Sequence, residues 1–224
     1  MRLFVGDTET AGQQDGAGVC EIALIEIDEN LNYITHFESR LDPEMPICPG
    51  ASGVHGITDE DVENQPTLRE WVNIVGIYEI GLAAHNARFD AEKLQPTITV
   101  PITLDTLKLA QRYIPDAPNH KLSTLVYYCN LPRSAGSFHS AMTDTWACFY
   151  LVRLLANETG KKTFTELAIE SNTPRELTHF PNFGKFSGRP IEEVDSGYFR
   201  WCLKNFDRMD IDLEYTIKKR LGMI

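Results

Sequence analysis

The chain is poor in positive charge. Its 21 lysines and arginines face 32 aspartates and glutamates, a formal net charge of −11 over 224 residues. That balance repels a phosphate backbone and excludes binding through a broad basic surface. No apolar run approaches the roughly 20 residues of a membrane-spanning helix. Met1 to Asp7 is too short, and turns acidic too soon, for a signal peptide. Cysteines are few, odd in number and without C-x-x-C spacing: Cys20, Cys48, Cys129, Cys148 and Cys202. They read as reduced, mostly buried thiols in a cytoplasmic protein, which excludes a disulfide framework. Internal repeats and low-complexity segments are absent. The length suits one α/β domain of ordinary size with a small appendage.

Several of the acids stand in ordered settings. Arg2-Leu3-Phe4-Val5-Gly6-Asp7-Thr8-Glu9-Thr10 is a short, β-rich apolar run ending in two carboxylates, and strand period two puts Asp7 and Glu9 on one face. Two such groups repel each other and resist desolvation, so a cation between them stabilises the pair. A solvated D-x-E at a strand end is the plain alternative. Asp90 follows the apolar Gly81 to Ala84 and sits early in a helix that continues through Leu94. Phe89 and Leu94 are expected to face the sheet, and an ordinary helix-start aspartate is the alternative for Asp90. Asp144 opens the pattern Thr145 to Ala156. It shares its helical stripe with Ala147, Cys148, Leu151, Leu154 and Leu155, so it looks inward, where a carboxylate requires a partner. His139 stands on the loop or first turn just before.

Around these acids the chain reads as a meander followed by alternation. Val19 to Ile27 is a buried strand, and Leu31 to Glu38 alternates as an outer strand, joined to it by the turn Asp28-Glu29-Asn30. Thr67-Leu68-Arg69-Glu70 is a capping box, with Trp71, Ile74, Val75 and Tyr78 expected on one helical face behind it. Ile98 to Leu104 is the last strand, and Asp105 to Tyr113 and Leu122 to Cys129 are helices. This is the pattern of a mixed sheet flanked by helices.

D-T-E-T at 7–10, H-N-A-R-F-D at 85–90 and H-S-A-M-T-D at 139–144, in that order, resemble the motifs of the DEDDh family of 3′→5′ exonucleases. V-H-G-I-T at 54–58 and D-T-L at 105–107 agree, and the likeness runs from residue 2 to about 156. The resemblance implies an α/β, ribonuclease H-like fold with a mixed five-stranded sheet flanked by helices. It implies two Mg²⁺ ions, replaceable by Mn²⁺, with Asp7 bridging both, Glu9 and Asp144 completing one site, and Asp90 holding the other mainly through water. His139 is then the general base. Thr8, Thr10, His55, Asn86 and Phe89 line the terminal nucleotide, although His55 and Asn86 also suit turn-stabilising hydrogen bonds. The reaction implied is release of 5′-mononucleotides from DNA 3′ ends, single-stranded or duplex, in the cytoplasm and away from membranes. An RNA exonuclease of the same chemistry, or a catalytically idle docking subunit, is the alternative.

On this reading residues 1–157 form the exonuclease domain, Glu158 to Lys162 a hinge, and residues 163–224 a C-terminal segment. F-G-K-F-S-G-R at 183–189 and G-Y-F-R-W-C-L-K-N at 197–205 resemble the tail of one subgroup of the family. Gln13 departs from it, standing where the subgroup carries an apolar residue. Charge shifts along the chain as well: residues 1–180 carry −12 and residues 181–224 carry +1. In the tail Lys185, Arg189, Arg200 and Lys204 interleave with Phe183, Phe186, Tyr198 and Trp201, which suits a single-stranded nucleic acid or, equally, the core of a small module. Two divalent ions would add +4 beside the motif acids, where a phosphate docks.

Overall fold

Strand β1 (Arg2–Thr10) sends Leu3 and Val5 to one face of a sheet and Phe4 to the other. Strand β2 (Val19–Ile27) pairs antiparallel with it, setting Asp7 opposite Ala23 and Glu9 opposite Glu21. Strand β3 (Tyr33–Arg40) pairs antiparallel with β2 and forms one edge. Its residues alternate between half-buried and exposed, as expected of an outer strand. The computed structural model describes residues 1–14, 16–95, 97–133, 138–206 and 209–224.

Helices α1 (Pro49–His55), α2 (Asp59–Val62) and α3 (Leu68–Val75) follow. The capping box at α3 is formed: the Thr67 hydroxyl accepts from Glu70 N, and Glu70 accepts from Thr67 N. The buried stripe of α3 differs from the expected one. Trp71 and Val72 are buried, Leu68 and Val75 pack beside them, and Ile74 and Tyr78 are exposed. Positions 68, 71, 72 and 75 follow the i, i+3, i+4, i+7 rule, whereas Tyr78 lies beyond the left-handed Gly76 that ends the helix.

Strand β4 (Glu79–Ala84) then runs parallel to β1, α4 (Ala87–Leu94) crosses over, and β5 (Thr99–Asp105) runs parallel to β4. The sheet order is β3-β2-β1-β4-β5, a mixed five-stranded sheet. Parallel pairing brings the C-terminal ends of β1, β4 and β5 to one edge, so residues that follow those strands converge. Helices α5 (Thr106–Tyr113), α6 (Leu122–Tyr128), α7 (Ala141–Thr159) and α8 (Phe164–Asn172) complete this part. One core layer joins Leu3, Val5 and Ile25 to Leu151, Leu155 and Phe164, and the other joins Phe4, Leu24 and Leu82 to Trp71 and Leu94.

The chain divides by packing into Met1–Ser171 and Asn172–Ile224. Phe164, Leu167 and Ala168 of α8 belong to the first unit's core, which puts the packing boundary at the last residue of that helix. The second unit contains a 3-10 turn at Ile191–Glu193, α9 (Ser196–Asn205) and α10 (Ile211–Arg220) around its own apolar cluster. No helix among the described residues is long and apolar enough to cross a membrane.

Gly6, directly before Asp7, shows how tightly β1 is held. A Cβ there would lie 2.6 Å from Leu24 Cδ2 and 3.1 Å from Leu82 Cδ1, and both leucines are fully buried. Gly6→Ala should therefore cost about 1–3 kcal/mol, measured as a lower urea midpoint with an unchanged m-value.

Candidate active site

The sheet edge fixes where the acids meet. Asp7 and Glu9 lie on the face of β1 that carries Leu3 and Val5, the face over which α7 packs. α7 is seated by the buried Thr145, whose hydroxyl donates to Ala23 O at 3.3 Å, and this places Asp144 beside Asp7 and Glu9. The intervening Thr8 points to the other face, where its N–H (3.0 Å) and hydroxyl (2.8 Å) both donate to Asp90 Oδ1. Asp90 is 3% exposed in the first turn of α4.

The electrostatics are those of acids forced together. Asp7 is held well above the usual carboxylate range, first by burial and then by the charges of Asp90, Asp144, Glu9 and Glu21. Glu9 is raised to about 7 by burial, then by Asp144, Glu21 and Asp90. Asp90 also rises to about 7 through burial, against the lowering effect of the Thr8 hydrogen bonds. Burial raises Asp144 too, offset in part by His139. One carboxylate oxygen each of Glu9 and Asp144 and a ring nitrogen of His139 lie within 4.8 Å of one another. Asp144 Oδ2 accepts the His139 backbone N–H at 3.0 Å, whereas Asp144 Oδ1 is buried with no hydrogen-bond partner among the described residues. A buried, unpartnered carboxylate oxygen amid like charges is unfavourable on its own and fits a hard cation.

His139 has an exposed side chain and a left-handed backbone, φ 70°. This conformation is uncommon outside glycine, although histidine is among the residues enriched there. Its ring thus reaches the acids from the solvent side.

Next to the acids is a cavity of about 520 Å³ lined by Thr8, Glu9, Thr10, His55 and Phe89, together with Gln13, Cys48 and Val54. This volume is within the range of small-ligand sites. Phe89 therefore faces the cavity instead of the sheet, with Lys93 Nζ 5.4 Å from its ring centroid, while Leu94 alone packs inward. His55 both braces its turn and lines the cavity. Its Nδ1 accepts from Ile57 N at 3.0 Å, which leaves the proton on Nε2 to be donated to Thr10 O at 3.2 Å, so the ring clasps its turn while lining the cavity. Burial lowers its pKa, in keeping with a neutral ring. Asn86 is exposed, is absent from the cavity lining and caps α4 in a left-handed conformation, φ 78°.

Several contributors were not named as site residues from the sequence. Glu21 stands across from Glu9, and its Oε2 accepts Ala141 N at 2.8 Å, tethering the start of α7. The register that pairs them is a tertiary fact with no local signature. Asp105 caps α5 and also accepts Asn86 N at 3.3 Å, bracing the turn before Asp90. Its place in the D-T-L stretch was the available signal. Gln13, Cys48 and Val54 reach the cavity only because the loop after β1 and helix α1 fold beside it.

A family model described as an exonuclease, RNase_T, matches residues 4–152. Exodeoxyribonuclease 10 of Escherichia coli K12 is 32% identical over 232 aligned residues, covering 98% of each chain, so the similarity includes the C-terminal segment. DNA polymerase III subunit epsilon of Salmonella typhimurium LT2 is 28% identical over 194 residues, 78% of each chain. Among solved structures, exonuclease X in complex with 5′ overhanging duplex DNA superposes with a TM-score of 0.64 and 26% identity, over 76% of this chain and 99% of that one. E. coli exonuclease I in complex with a dT13 oligonucleotide has a TM-score of 0.61 at 16% identity, a likeness of fold alone, over 100% of this chain and 68% of the other.

Glu9 and Asp90 have folded pKa values near 7, above ordinary carboxylate values. The metal-free folded state thus retains protons that the unfolded chain has released, and stability falls as pH rises from about 4.5 to about 7. Thermal midpoints of the metal-chelated protein should drop across that window. Mg²⁺ at about 100 times its dissociation constant should restore about 2.7 kcal/mol at neutral pH. A midpoint indifferent to both pH and Mg²⁺ would exclude cation binding by this cluster.

Proposed function

The chain belongs to the RNase_T exonuclease family, and we propose that it is a metal-dependent 3′→5′ exodeoxyribonuclease releasing 5′-mononucleotides. The observation that carries this reading is the cluster at the end of β1. Asp7 and Glu9 are raised by burial and by the charges of Asp90 and Asp144, burial raises Asp90 and Asp144, and Asp144 Oδ1 lies buried with no hydrogen-bond partner among the described residues, next to a cavity of nucleotide size. DNA as substrate is supported by the similarity to Exodeoxyribonuclease 10 and to exonuclease X, which was solved on duplex DNA.

Asp7, Glu9, Asp90 and Asp144 would hold two divalent cations of the Mg²⁺ class, hard ions that favour oxygen ligands. When bound, the ions supply Lewis-acid polarisation of the scissile phosphodiester and neutralise the charge that develops on it. The protein's own groups do the rest. His139, exposed and adjacent to Glu9 and Asp144, accepts the proton of the attacking water. Thr8 keeps Asp90 ionisable by donating two hydrogen bonds to one of its oxygens, and so holds it ready as a ligand. Phe89 offers a ring to the terminal base, and Thr10 and His55 line the same cavity.

Incubation of the purified protein with matched DNA and RNA oligonucleotides labelled at either end should release 5′-mononucleotides from the 3′ end of DNA only with Mg²⁺ or Mn²⁺ present, and EDTA should stop it. Preferential digestion of RNA would reassign the substrate. Asp7→Ala should abolish release and leave the fold intact. His139→Ala should slow single-turnover cleavage by roughly 10²–10⁴-fold with little change in oligonucleotide affinity, and full activity in that variant would remove the histidine from the proton transfer.

A further inference from the structure

The second unit carries its aromatic rings in two populations. Phe180, Phe186 and Phe199 are buried in its core, whereas Phe183 is 40% and Trp201 48% exposed. The exposed rings are propped from beneath. Trp201 stacks on Tyr198 at 5.4 Å with planes 18° apart, and Trp201 and Phe183 each meet Phe206 edge-on at 5.6 Å. Gly184, at φ 68°, lets the loop come close: a Cβ there would collide with the Tyr198 hydroxyl. Large aromatic faces held in place and left open to water are ready to stack a planar partner at little entropic cost.

Charge in this unit is segregated. Glu176, Glu192, Glu193 and Glu214 pair with Lys219, Arg220, Arg189 and Lys218, and Asp195 and Asp210 cap helices. Lys185, Arg200 and Lys204 are exposed and make no ion pair among the described residues. Lys204 lies one turn beyond Trp201 on α9, and Lys185 Nζ is 4.9 Å from the Phe186 ring centroid, which in turn is 4.9 Å from that of Tyr198. Unpaired cations and open rings therefore share one surface, in a chain whose net charge is otherwise strongly negative.

We propose that this surface is a binding site for single-stranded DNA, with bases stacking on Trp201 and Phe183 and phosphates met by Lys185, Arg200 and Lys204. The choice of DNA rests on the nuclease reading of the first unit, but the site uses none of that unit's residues. A flexible polyanion with exposed bases satisfies both the rings and the free cations.

The test is fluorescence anisotropy of a labelled oligo-dT of about 20 nucleotides, long enough to exceed one binding footprint, with the full chain carrying Asp7→Ala. Adding Phe183→Ala and Trp201→Ala should weaken binding roughly 10- to 100-fold, and Trp201→Phe should recover most of the loss, as stacking predicts and misfolding does not. Adding Lys185→Ala and Lys204→Ala should flatten the slope of log affinity against log salt by about 1.4, near 0.7 for each single-strand phosphate contact. Unchanged affinity and slope in these variants, the outcome for a surface built for a protein partner, would overturn the proposal. Nucleotide release by the wild type is scored separately. Tail-dependent binding without cleavage therefore sinks only the nuclease reading, and cleavage with tail-independent binding sinks only this one.

Discussion

Repulsion among carboxylates at the end of β1 is the constraint around which the first unit is arranged. Asp7, Glu9, Asp90 and Asp144 come from three separate elements; burial raises the cost of ionising all four, and the charges of Asp90 and Asp144 raise it further for Asp7 and Glu9. Like charges at this range would separate if their supports allowed it. They do not, because β1 is locked between β2 and β4 with no room for a side chain at Gly6, and α7 is keyed to β2 through Thr145. The energy stored in that arrangement would give a divalent cation its hold. The same preorganisation that destabilises the cluster without a cation would strengthen its hold on one.

The bracing around the acids follows one pattern, in which polar groups tie one element of the site to another. Thr8 of β1 holds Asp90 of α4, Glu21 of β2 tethers the first residue of α7, and Asp105 at the end of β5 fixes the turn before α4. His55 ties α1 to the end of β1 through Thr10 O. These contacts span 19 to 120 residues of sequence. Supports of this kind keep ligands within the narrow tolerances that catalysis requires.

An acidic exonuclease poses a problem of substrate capture, and the two units answer it differently. In the first, cations drawn to the carboxylates would reverse the local sign where a phosphate must sit. In the second, Glu176, Glu192, Glu193 and Glu214 are held in ion pairs and Asp195 and Asp210 cap helices, while Lys185, Arg200 and Lys204 make no ion pair among the described residues of a unit that also exposes Phe183 and Trp201. Net charge measures neither, because a Debye length of about 10 Å at ordinary ionic strength confines each effect to its own patch.

Local periodicity was enough to find the five strands, helices α3 to α7 and the acids that end or begin them, whereas α1, α2, α8, α9 and α10 were not read from the sequence. A strand's period of two put Asp7 with Glu9, and a helix's period of 3.6 turned Asp144 inward, because these patterns depend on backbone geometry alone. The capping box of α3 was legible for the same reason. Its buried face was misread at Ile74, which lies off the stripe of Leu68, Trp71, Val72 and Val75, and at Tyr78, which lies beyond the end of the helix at Gly76. Phe89 was assigned to the sheet on helical spacing, yet a cavity walled by α1 was there to receive it. What the residues by themselves determined was therefore which groups can hold a cation or stack a base, through their chemistry and spacing. Which acids share one site, that Glu21 joins them, and which tail aromatics are core and which are open were settled only by the strand register and packing, since these depend on residues far apart in the chain.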